Sequence, residues 1–152
     1  MANAGIGDLP VYVPETGFWS SARANSSEDY QARRLAEIFV LGQAAGVQKL
    51  AWFEVFDAVG LVDQIPTEEH GLFWGTDLSR PKKAYWAYRT LTAELSGYAY
   101  SRALSTGQVE AHVFRAADGR EKIVVWSQPK DQAGTFTVGW GCVQGVNITG
   151  QP

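Results

Sequence analysis

Leu9-Pro-Val-Tyr-Val-Pro-Glu-Thr-Gly-Phe-Trp-Ser20 holds a short β-rich run, Val11-Tyr12-Val13, between Pro10 and Pro14, and releases it straight into Glu15, Gly17 and two aromatic residues. Prolines punctuate sheets because they cannot donate to the ladder, so the run reads as one bounded strand. It does not alternate between apolar and polar residues, and neither does Leu50 to Phe56, with Trp52, Phe53, Val55 and Phe56. Such runs suit strands buried on both faces, as in a parallel sheet covered by helices.

Between the two lies an amphipathic helix. Leu35, Ile38, Phe39, Gly42 and Ala45 recur at helical spacing. Ser26 or Ser27 caps its start, Glu28 and Asp29 complement the dipole in its first turn, and Gly46 supplies a left-handed stop. A second helix is expected from about Pro81 to Leu95, with Ala84, Tyr88, Leu91 and Leu95 inward and Gly97 just beyond. The order is β-α-β-α, with crossovers long enough for parallel strands. Two such units do not cover their own sheet, so residues 1–97 are expected to be part of a larger α/β body.

Past Ser96-Gly97 the texture changes to strands and turns. Val109–Phe114, Lys122–Ser127, Thr135–Val138 and Val146–Thr149 are the candidates, with Ala117-Asp118-Gly119 as a hairpin turn. Residues 98–152 therefore read as an antiparallel β domain, an incomplete sandwich, since a full one has about seven strands.

Sixteen acidic and 13 basic residues give a net charge of −3, and the densest basic spots are Arg33-Arg34 and Lys82-Lys83. Phosphate binding needs clustered Lys/Arg, so no nucleic-acid partner is expected. No stretch approaches the roughly 18–20 apolar residues that span a bilayer, and no membrane partner is expected. Cys142 is the only cysteine, and His70 has no second histidine near it other than His112, so no metal site is expected. Gly5 and Gly7 precede a strand rather than follow one, which does not support a phosphate loop. Met1 to Asp8 has neither a charged n-region nor an apolar h-region, so these residues are no signal peptide; the compartment is not legible.

In α/β barrels reactive groups sit at the C-terminal ends of strands, where the strand fixes the residue and loops shape the pocket. Glu15 stands at such a place. A carboxylate there can attack an anomeric carbon when a second carboxyl group lies about 5–5.5 Å away. On spacing alone, a surface glutamate after a strand accounts for Glu15 as well.

The stretch Pro-Val-Tyr-Val-Pro-Glu-Thr-Gly-Phe-Trp-Ser20 resembles the seventh-strand segment of retaining (β/α)8-barrel glycoside hydrolases of the two-glutamate superfamily, which includes cellulase-like and β-xylosidase-like enzymes. Gly46 to Asp57 is similar to strand eight, and His70 to Tyr88 to the approach to helix eight, where members carry Pro-Lys-x-Ala-Tyr-x-Ala. Pro14 departs from the Thr or Gly more common before the glutamate. The resemblance covers roughly residues 8–96 and implies the last two β/α units of a TIM barrel.

It implies that Glu15 is the nucleophile of a glycosidase hydrolysing O-glycosidic bonds with retention. Trp52 falls where this clan places an aromatic floor under the sugar, although barrel filling explains it equally. Trp19 either lines the same cleft or packs on its own barrel, and Glu54 faces either the cavity or a neighbouring loop. Asp57 is expected to hydrogen-bond loop backbone. The acid/base residue of the clan belongs to an Asn-Glu pair on strand four, and no Asn-Glu dipeptide occurs here. The isolated chain is therefore expected to be inactive, with carbohydrate and the remaining N-terminal barrel units of the parent as its partners and no cofactor. The rival reading is a non-catalytic carbohydrate-binding or scaffold module, with Trp126 and Trp140 stacking on sugar.

Overall fold

The computed structural model describes residues 9–21, 25–57, 69–127, 135, 137–139 and 143–151. Trp140, Cys142, Gly5 and Gly7 lie outside the described residues, as does part of the expected strand Thr135–Val138. The first strand, β1, is Val11–Thr16; helix α1, Glu28–Ala44, leads to β2, Val47–Trp52. β1 and β2 pair in parallel, with α1 as the crossover between them. Helix α2, Lys83–Leu95, packs against α1.

α1 starts where Ser27 turns its extended backbone into the helix and its Oγ accepts the Tyr30 N–H at 3.1 Å. The helix ends in Gly46 at φ 78°, a left-handed conformation that glycine adopts without a Cβ penalty. The buried stripe is shifted from the expected one: Ala32, Leu35, Ala36 and Val40 are buried, while Ala45 is exposed. The reason is that α1 is covered on two sides, by α2 and by the sheet. Leu50 lies so near Gly42 that a Cβ there would come within 2.9 Å of its Cδ1.

The antiparallel part begins directly after Gly97, at φ 79°. It comprises β3 (Tyr98–Ala103), β4 (Val109–Ala116) and β5 (Glu121–Ser127), in the order β3-β4-β5. Sequence reading missed β3, because a helix stop runs into it without a loop and Tyr-Ala-Tyr-Ser-Arg-Ala has little apolar patterning. The β4–β5 hairpin turns through Gly119 at φ 89°. Val146–Thr149, expected as a strand, is instead a local turn: Asn147 Oδ1 accepts from Thr149 N at 3.0 Å and Gln151 N at 3.1 Å. An Asn side chain that satisfies nearby backbone in this way competes with a strand ladder.

One helical layer serves both sheets. Ala32 and Leu35 of α1 join Ala84 and Ala87 of α2 and the loop residues Leu72 and Phe73 in one cluster. Val40, Leu91 and Leu95 join Phe114 of β4 in a second, and Phe39 packs against both. The chain is thus an α/β portion and a β portion that share one helix pair, with the first cluster at the N-terminal halves of α1 and α2 and the second at their C-terminal halves. Among the described residues, no helix is long and apolar enough to cross a membrane.

Candidate active site

The register of β1 changes just where Glu15 stands. Val13 pairs with Leu50 and Thr16 with Trp52, so three steps on β1 oppose two on β2. This is a bulge of one residue. In an unbroken pleat Glu15 would share a side with the half-buried Val13; with the bulge, Pro14 and Glu15 are both exposed. Bulges re-aim side chains in this way. Glu15 makes no hydrogen bond or ion pair among the described residues, which leaves its carboxylate available.

Beyond the bulge the parallel ladder continues through Phe53 N to Thr16 O at 2.7 Å. Gly17 then lies against β2 so closely that a Cβ would sit 2.2 Å from Phe53 O. Only glycine lets the chain pass there. The peptide bond joining Phe53 and Glu54 is cis. Trp19 follows, 44% exposed, with its ring 4.8 Å from that of His70.

The rim is fastened from below by two buried polar residues. The amide nitrogen of Gln31, on α1, donates to Phe18 O at 2.8 Å and His70 O at 3.0 Å. Lys82, fully buried ahead of α2, donates to Asp57 Oδ1 at 2.5 Å and Ser20 Oγ at 2.9 Å, with its ammonium 4.3 Å from the Trp74 ring centre. Asp57 Oδ1 also accepts Gly71 N at 2.9 Å. A buried ammonium is tolerated only when paired and hydrogen-bonded in this way. The loops after β1 and β2 and the start of α2 thereby form one unit.

Glu15 and Trp19 leave β1, and Trp52 and Glu54 leave β2, at the same end of neighbouring parallel strands. Trp52 is half-buried, packs beside the cluster under the helices, and donates its indole N–H to His70 O at 3.0 Å. It thereby props the rim, and Trp19 is the more open ring. Glu54 is half-buried, and its Oε1 is shut from solvent with no hydrogen-bond partner among the described residues. Asp57 does bind loop backbone, though to a residue fourteen positions on rather than to its own turn. Trp126 is half-buried, stacked on His112 with centroids 5.0 Å apart and planes 17° from parallel.

Sequence reading missed Gln31 and Lys82. Lys82 was noted only as half of the basic pair Lys82-Lys83; of the two, Lys83 is exposed, with its ammonium on Asp29 at 2.7 Å. A lysine directly after proline at a helix start, with an aspartate ending the preceding strand region, was the available signal. Among the described residues no three His, Cys, Asp or Glu side chains gather as metal ligands.

An α/β unit of this kind, with an unpaired carboxylate at the C-terminal ends of parallel strands, is a common setting for catalysis. A solved family 39 glycoside hydrolase from the gut symbiont Bacteroides cellulosilyticus WH2 shares the fold, with a TM-score of 0.64 and 23% identity over 79% of the present chain. The chain spans 24% of that protein's length. No family profile and no curated protein matches the sequence.

Proposed function

We propose that the chain is the C-terminal part of a retaining (β/α)8-barrel glycoside hydrolase. Residues 1–97 supply the seventh and eighth β/α units and residues 98–152 the start of an appended β-sandwich domain. The observation that carries the reading is the bulge that turns Glu15 outward at the end of β1, beside the open ring of Trp19. The fold likeness to a family 39 glycoside hydrolase supports it.

Glu15 attacks the anomeric carbon as the bond to the aglycone oxygen breaks and the aglycone leaves as its alcohol, forming a glycosyl ester that water then hydrolyses. A glutamate from the remaining barrel units acts first as acid and then as base. Trp19 and Trp52 wall the sugar site, and the half-buried Glu54 accepts a hydrogen bond from a sugar hydroxyl. No cofactor is required for this chemistry. General acid help is typically worth about 10²–10⁴-fold, so the chain without its proton donor does not turn over.

In the parent protein, Glu15→Ala is expected to lose hydrolysis of an activated aryl glycoside. Azide should restore turnover and yield a glycosyl azide of inverted configuration, because the small anion enters from the face the carboxylate occupied. Hydrolysis that survives the substitution rejects the assignment.

A further inference from the structure

We propose that His70 contacts the sugar, its Nε2–H donating a hydrogen bond to a hydroxyl of a glycoside held over Glu15. The inference rests on the glycosidase reading and adds a residue to its site.

His70 is held in place from both sides. Its carbonyl accepts the Trp52 indole N–H and the Gln31 amide, each at 3.0 Å, which fixes the backbone. Its ring stands between Trp19, 4.8 Å away, and Phe53, 5.9 Å away. A Cβ on Gly17 would lie 3.4 Å from His70 Cδ2, so the ring abuts the chain two residues past Glu15. The imidazole thus occupies the seam between the segments leaving β1 and β2.

Its nitrogens are the informative part. Nδ1 is closed to solvent and has no hydrogen-bond partner, and Nε2 makes no hydrogen bond among the described residues. A phenylalanine or leucine would fill the space between Trp19 and Phe53 without leaving a buried polar atom unmet; His112 carries the same cost, but there both ring nitrogens are closed, whereas at His70 only Nδ1 is. A proton on Nδ1 would be an orphaned buried donor. The tautomer that avoids it carries the proton on Nε2, on the ring edge next to Cδ2 and Gly17. His70 is therefore a fixed single donor at the rim, of the kind that selects a hydroxyl by position.

The chain contains two histidines, His70 and His112, which makes the test direct. The 152-residue chain is labelled with ¹³C,¹⁵N-histidine and ¹³C-carboxyl glutamate, and titrated with a cationic iminosugar and with a neutral methyl glycoside. The expected result is a saturable shift of the His70 ring signals and of the Glu15 carboxyl signal, with those of His112, buried in the β sheet, unmoved. His70→Phe should weaken the iminosugar affinity, read at Glu15, by roughly five-fold, the worth of one hydrogen bond. His70→Gln, which keeps an N–H donor, should restore most of it. A shift at Glu15 with His70 silent, or equal affinity in His70→Phe, overturns the inference and leaves the glycosidase reading intact. Silence at both residues overturns the inference, while the glycosidase reading stands or falls separately on Glu15→Ala in the parent protein.

Discussion

Gly17 is the position with least latitude in the rim, because its missing Cβ is what lets β1 leave the sheet beneath Phe53. Gly17→Ala would place a carbon 2.2 Å from Phe53 O, a contact that backbone must relieve. Overpacking of this kind typically costs about 1–3 kcal/mol. A lowered urea midpoint is expected, and an unchanged midpoint would show that the close approach is absent in solution. Lys82 gives a second test at this scale. Lys82→Met leaves the buried Asp57 carboxylate without its cation, a change worth about 3–5 kcal/mol. Lys82→Met combined with Asp57→Leu should recover part of that loss, which denaturation of the three variants measures. The place of Glu15 at the end of a strand was legible from sequence because the run Val11-Tyr12-Val13 leads straight towards it, and β1 ends one residue beyond it at Thr16. Lys82 was not, because its partners Asp57 and Ser20 are 25 and 62 residues away.

Elements show the same division between local and distant causes. The extent of α1 was readable, since Ser27, Gly46 and the apolar spacing act within a few residues. Ser27→Ala should destabilise by about 1 kcal/mol, the usual worth of such a cap, and calorimetry can detect it. The buried face of α1 was less readable, since α2 and β2 together decide it. The bulge in β1 was invisible as well, because it exists only relative to Leu50 and Trp52 on β2.

The molecule as a whole is organised around one pair of helices that packs against both sheets. Phe39 touches both clusters, and Phe114 carries β4 onto Val40, Leu91 and Leu95. Phe114→Ala in this fully buried position should cost about 3–5 kcal/mol. Because the helices are shared, the loss should appear as a lower single transition by circular dichroism, and separate melting of the two portions would contradict the shared core. The β-α-β-α order was legible at this scale because each unit announces itself through breakers and caps. The packing of β3 to β5 on the helices was not, since no local pattern encodes it.

Glu15 as the carboxylate that takes the sugar is most directly tested by trapping. The parent protein is incubated with a 2-deoxy-2-fluoroglycoside bearing a good leaving group, and the modified peptide is sequenced by mass spectrometry. A glycosyl ester on Glu15, absent from Glu15→Gln, is the predicted result. An ester on another carboxylate, or none while the same protein hydrolyses substrate, would contradict it.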